Sequence, residues 1–142
     1  MKLQIKKMRE DAILPRYATE GAAGMDLCAA VEVDLPPMGH ALVPTGIALA
    51  VPMGYGAFLF ARSGLAIKHG VNLRNGVGVV DSDYRGEVMV GLMNLSDKPY
   101  HVTKGERICQ LVLIATPQAE IEVVEALSET LRGEGGFGST GK

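Results

Sequence analysis

The 142-residue sequence has no tryptophan, and three phenylalanines with four tyrosines hold the aromatic share to 5%. A core built from large rings is therefore excluded, and packing falls to Val, Ile, Leu and Ala. Cysteine is nearly absent. Cys28 and Cys109 lie far apart in the sequence, with no CxxC and no His at ligand spacing. That speaks against zinc and against a disulfide framework, and for two reduced, half-buried small hydrophobes. An excess of positive charge is missing too, because 14 Lys and Arg face 16 Asp and Glu for a net charge of -2. Without a basic field, long nucleic acid is not an expected partner, and any anionic ligand must be met by a few placed donors and a metal ion. No apolar run reaches membrane-spanning length, and the start of the chain, with Lys2, Lys6, Lys7, Glu10 and Asp11, lacks a signal-peptide pattern. The expectation is a cytoplasmic protein with no membrane partner.

What the sequence does contain is a succession of short strand-like segments. Leu3 and Ile5 alternate with polar neighbours, as do Val31, Val33 and Leu35, and residues 41–51, 55–61, 88–95, 108–115 and 121–124 are rich in Val, Ile and Leu. Turn formers separate them at Pro36-Pro37-Met38-Gly39, Pro52-Met53-Gly54, Ser96-Asp97-Lys98-Pro99 and Lys104-Gly105. Strands at such spacing, with no sustained helical period, predict an all-β sandwich or barrel. Residues 63–69 suit a single helical turn, and 119–131 is ambiguous. A chain of this length buries a real core as one domain. We assign residues 1–131 to it and 132–142, with five glycines, to a flexible tail that orders only on a ligand or neighbour.

Unusual chemistry concentrates in residues 75–89. An apolar run from Val77 to Val80 stops at Asp81 and Asp83, Tyr84 follows, and Gly86 permits a reversal before Val88 and Val90 resume alternation. The pattern predicts a β-hairpin with acids and one ring at its tip. Gly76 and Gly78 allow close backbone approach to a flat ligand. Asp81, next to apolar residues, is placed to be partly desolvated and to accept a proton. A calcium loop is excluded, because its fifth position would be Arg85 and its twelfth Leu92. The glycine-rich tail matches dinucleotide and P-loop expressions, but both require a following helix to hold phosphate and the given sequence ends there.

Three more clusters carry candidate ligand groups. Asp26 stands in the apolar segment Ala23-Gly24-Met25-Asp26-Leu27, as a hydrogen-bonded structural acid or a carboxylate near a hydrated metal. Arg62-Ser63-Gly64 combines a guanidinium, a hydroxyl and free amides after an apolar run, which suits phosphate oxygens or a simple capped turn. Gln110 interrupts an apolar strand and must pair with backbone or face a ligand. His40, His69 and His101 sit beside turns, with no Ser or Cys partner.

Five segments, in order, resemble the five signature motifs of the trimeric dUTPases (dUTP diphosphatases). They are Ala23-Gly-Met-Asp-Leu-Cys-Ala29, Arg62-Ser-Gly-Leu-Ala66, Asn75-Gly-Val-Gly-Val-Val-Asp-Ser-Asp-Tyr-Arg-Gly-Glu87, Gly105-Glu-Arg-Ile-Cys-Gln-Leu111 and Arg132-Gly-Glu-Gly-Gly-Phe-Gly-Ser-Thr-Gly141. The chain departs from the family at Ala61, where Pro is frequent. The resemblance implies a jelly-roll subunit of the β-clip kind, a homotrimer with active sites at subunit boundaries, and Mg2+-assisted hydrolysis of dUTP to dUMP and pyrophosphate. It implies that Asp81 holds the attacking water and meets the sugar 3′-hydroxyl, and that Tyr84 lies under the deoxyribose and excludes a 2′-hydroxyl. Asn75 and the backbone of Val79 and Val80 would pair with uracil in a slot bordered by Met89. Arg62, Ser63, Gly64 and Gln110 would bind phosphates, with Asp26 reaching Mg2+ through water. Phe137 would stack on uracil while Arg132, Gly138, Ser139 and Thr140 close over the nucleotide. The related dCTP deaminases, with Glu87 as acid/base, and a non-catalytic nucleotide-binding trimer are the competing expectations.

Overall fold

The computed structural model describes residues 1–136. Its strands are β1 (Gln4–Lys7), β2 (Arg16–Tyr17), β3 (Met25–Cys28), β4 (Val33–Leu35), β5 (His40–Ala50), β6 (Tyr55–Ala61), β7 (Val71–Leu73), β8 (Gly78–Val80), β9 (Glu87–Asn94), β10 (Tyr100–Val102) and β11 (Arg107–Ala115). Among the described residues α1 (Ser63–His69) is the single α-helix, ended by Gly70 in the left-handed region at φ +69. Its bounds are those of the expected helical turn. The strands form a four-stranded sheet in the order β1-β5-β9-β7, a five-stranded sheet in the order β2-β3-β11-β6-β8, and the ribbon β10-β4. Every pairing in them is antiparallel. This is an all-β fold, as the strand spacing predicted, and the jelly roll that the resemblance implied.

The core follows from period-two alternation. On β9, Val88, Val90 and Leu92 are each 1% exposed while Glu87, Met89 and Gly91 are only half-buried. Val43, Ile47 and Leu49 of β5 meet Leu59 of β6 and Ile108 and Leu111 of β11 in one aliphatic cluster. Packing thus rests on branched aliphatic side chains, as the scarcity of rings required. Cys28 and Cys109 lie on the paired strands β3 and β11, free and fully buried rather than half-buried. Burial pushes both thiols up, Cys109 to about 12.

Two expectations fail on topology. The segment 75–90 is not a hairpin, because β8 pairs with β6 in one sheet while β9 pairs with β5 and β7 in the other. Residues 81–86 therefore cross from layer to layer, and an alternating pattern on both sides of a turn does not distinguish the two arrangements. Residues 121–124 form no strand either, and Ile121 and Val123 stand 89% and 94% exposed. An alternating segment needs a sheet edge to join, and within one chain this one meets none.

Candidate active site

Because β8 and β9 diverge, a small cavity opens between the two sheets. Its volume is about 110 Å³, and Asn75, Val79, Val80 and Met89 line it together with Leu59, Leu73, Gly78, Val90 and Gly91. All four residues expected to hold uracil thus face one slot. Among the described residues β8 is the outer strand of its sheet with no strand partner on its far side, which leaves that backbone free to hydrogen-bond a flat ligand. Gly78 lets the strands approach closely, since a Cβ there would lie 3.0 Å from the Cβ of Leu59 and would force that side chain to give by a few tenths of an ångström. Gly76, at φ +72, closes the turn that carries Asn75.

The crossover after β8 holds the acids and the ring. Val79, Asp81, Ser82 and Asp83 line a second, wider cavity beside the slot, with Met53, Phe58 and Pro117 opposite. Asp81 is exposed within the single chain, so its desolvation has to come from whatever covers the cavity. Arg85 Nη1 donates to the carbonyls of Ser82 at 2.7 Å and Tyr84 at 2.8 Å, which stiffens the crossover. The Tyr84 hydroxyl donates to the Glu87 carbonyl at 3.0 Å, and its ring lies over Gly86 with 44% of the residue exposed.

The phosphate candidates lie elsewhere, on the outer face of the five-stranded sheet. Register puts Arg16, Asp26, Gln110 and Phe60 in one row across β2, β3, β11 and β6, so their side chains share a face. Asp26 is only 7% exposed because two guanidiniums cover it. Arg62 Nε lies 3.2 Å from Oδ1, and Arg107 Nη1 donates to Oδ2 at 3.0 Å. Arg62 Nη1 also donates to the Arg107 carbonyl at 2.9 Å. The cluster carries one surplus positive charge, with Gln110, Ser63 and Gly64 exposed at the strand end and the start of α1. Asp26 Oδ1 is buried without a hydrogen bond. Two guanidiniums already pair with this carboxylate, so a divalent ion would meet it through a coordinated water and not directly. The residues therefore fit Mg2+ held through water, and among the described residues no group of three or more His, Cys, Asp or Glu offers direct ligation.

Arg107 belongs to the fourth motif, where the resemblance gives it no role. A register shift between Arg107 and Cys109 makes Ile108 and Cys109 both buried, and so turns Arg107 to the same face as Gln110. Two adjacent buried residues between polar ones, Arg-Ile-Cys-Gln, were the available signal. Glu87 Oε1 accepts the Gly46 N–H at 2.7 Å, which occupies the carboxylate that a deaminase would need. Arg132 Nε donates to the Gly135 carbonyl at 2.8 Å in a local turn, and Phe137, Gly138, Ser139 and Thr140 lie outside the described residues.

The slot and the Arg62 cluster do not converge within one chain. Val80 pairs with Ala57, which sets Asp81 opposite Gly56, whereas Arg62 continues the same strand beyond Ala61. From residue 56 to residue 62 at about 3.3 Å per residue, the two functional groups stand roughly 20 Å apart along the strand.

A jelly roll with a ring-sized slot, a neighbouring carboxylate and a separate cationic cluster defines a nucleotide hydrolase as its class. The family model described as dUTPase matches residues 10–141. A deoxyuridine 5′-triphosphate nucleotidohydrolase of Wolinella succinogenes is 49% identical over 142 residues, covering 100% of this chain and 95% of its own. One from a Hydrogenobaculum species is 55% identical over 144 residues, covering 99% of each chain. A dUTPase of Staphylococcus bacteriophage 80alpha, solved with dUpNHpp, superposes with a TM-score of 0.93 at 29% identity over 99% of both chains. The chain belongs to the dUTPase family, and it is a hydrolase that converts dUTP to dUMP.

Proposed function

We propose that the chain hydrolyses dUTP at the α-phosphorus, in a homotrimer whose sites each combine the slot of one subunit with the Arg62 cluster of another. The observation that carries this reading is the shared lining of one 110 Å³ slot by Asn75, Val79, Val80 and Met89, with Asp81 at its border. Uracil enters the slot and pairs with Asn75 and the free edge of β8. Tyr84 lies under the deoxyribose, where a 2′-hydroxyl would collide with the ring. Asp81 meets the 3′-hydroxyl and takes the proton of a water that attacks the α-phosphorus. The bond to the bridging oxygen breaks, and its electron pair leaves with pyrophosphate.

Arg62, Ser63, Gly64 and Gln110 hold the phosphates. The separation of roughly 20 Å from Asp81 along the strand requires that they come from a second subunit. Half-exposed Phe58, Phe60 and Val112 and exposed Ile114, on the outer face of the five-stranded sheet, and the uncovered Ile121 and Val123 support self-association. Mg2+ bound with the triphosphate would supply countercharge for the leaving group. Asp26 would hold it through coordinated water. Arg132 with Phe137, Gly138, Ser139 and Thr140 closes over the bound nucleotide. In the cytoplasm this reaction limits uracil in DNA and supplies dUMP for dTMP synthesis.

The test is Asp81→Asn, assayed by pyrophosphate release and by equilibrium binding of a non-hydrolysable dUTP analogue. Analogue affinity should persist while turnover falls at least about a hundredfold, the usual range for a lost general base. Parental turnover in the variant would remove Asp81 from the reaction.

A further inference from the structure

Glu87 touches neither the slot nor the phosphate cluster, yet it ties the sugar-facing ring to the core. Where β5 passes β9 the ladder slips, since Pro44 pairs with Met89 and Ala48 with Glu87. Thr45, Gly46 and Ile47 thus stand opposite Val88 alone. A bulge turns backbone groups out of the ladder, and here they are taken up. Thr45 Oγ1 donates to the Val88 carbonyl at 2.7 Å, the Met8 N–H donates to the Gly46 carbonyl at 2.8 Å, and the Gly46 N–H donates to Glu87 Oε1 at 2.7 Å. Gly46 has φ +74, and a Cβ there would lie 2.9 Å from that of Ala12, so the bulge has little room to relax. The carboxylate of Glu87 is therefore fastened to a filled, buried corner, while its own carbonyl accepts the Tyr84 hydroxyl at 3.0 Å.

We propose that Glu87 is a positioning residue for sugar selection, anchoring through Gly46 the carbonyl that holds the Tyr84 ring. This rests on the reading of Tyr84 as the surface beneath the deoxyribose. An exposed ring on a crossover is otherwise free to rotate about its side-chain torsions. A fixed ring collides with a 2′-hydroxyl, whereas a ring free to swing yields to it, so the tether acts on discrimination against ribonucleotides more than on dUTP itself.

The experiment compares kcat/KM for dUTP and UTP in the full chain and in Glu87→Ala, Glu87→Gln, Tyr84→Phe and Tyr84→Ala. Glu87→Ala should lower the dUTP-to-UTP ratio roughly tenfold, as expected for loss of one charge-assisted hydrogen bond. Glu87→Gln, which keeps an acceptor of the same reach, should stay close to the parent. Tyr84→Phe should match Glu87→Ala, and combining the two should add little, because both cut one tether. If Glu87→Ala does not fold, Glu87→Asp, which keeps the charge but falls short of the Gly46 N–H, carries the same test. A ratio that collapses in Tyr84→Ala but stays parental in Glu87→Ala and Tyr84→Phe overturns the role of Glu87 alone. A ratio unchanged even in Tyr84→Ala overturns the reading of Tyr84 and the proposal with it.

Discussion

At the scale of single residues, two aspartates with apolar neighbours end in opposite environments. Asp81 follows an apolar run yet is exposed, because the chain leaves the sheet at that point. Asp26 is the buried acid, and two arginines distant in sequence make its burial tolerable. Neighbours in sequence report the strand a residue belongs to, whereas partners across the sheet decide its charge environment. Gly86 gives a similar lesson. It is absent from the positive-φ glycines, so its backbone does not demand glycine. The Tyr84 ring does, since a Cβ at residue 86 would lie 2.6 Å from ring carbon Cζ. Gly86→Ala should displace the ring and lower kcat/KM for dUTP roughly tenfold, a cost typical of a misplaced substrate-positioning group. The urea midpoint should move little at so exposed a position. Unchanged kinetics would mean that the ring yields without consequence.

At the scale of elements, the ribbon β4–β10 carries a pH-dependent lock. His101 and Asp34 are register partners, and His101 Nδ1 lies 2.6 Å from Asp34 Oδ1. That hydrogen bond holds the imidazole pKa above its ordinary 6.5, with the charge of Asp34 adding to it. The raised value fixes the sign: the contribution to stability is complete below pH 6.5 and is lost as pH climbs through the folded-state pKa. In Asp34→Asn the His101 titration, followed by NMR, should fall back toward 6.5, and the ribbon should lose this pH dependence. A titration that does not move would assign the lock to other groups. The sequence places His101 beside a turn, and the residue is exposed, but its partner lies on another strand.

At the scale of the whole molecule, the proposed site divides between the outer face of one sheet and the gap between two sheets. Subunits carrying Asp81→Asn should therefore complement subunits carrying Arg62→Ala. Each variant alone should be nearly inactive. After joint denaturation and refolding, about one site in four should regain both intact halves by random assortment in a cyclic oligomer. Recovery of pyrophosphate release near that fraction supports sites shared between subunits, and no recovery would mean that each chain works alone.

The sequence by itself determined the long strands β5, β6, β9 and β11, the one helical turn, the aliphatic core and the five motifs, because alternation, turn residues and local chemistry are properties of neighbouring positions. It also named the slot residues Asn75, Val79, Val80 and Met89, through the resemblance the motifs carry. Only the tertiary structure decided that 75–90 crosses between sheets instead of folding back as a hairpin, that Arg107 joins Arg62 on Asp26, and that Glu87 clamps the β5 bulge. Those outcomes depend on which strand pairs with which, and in an antiparallel jelly roll such partners are set by contacts between segments far apart in the chain.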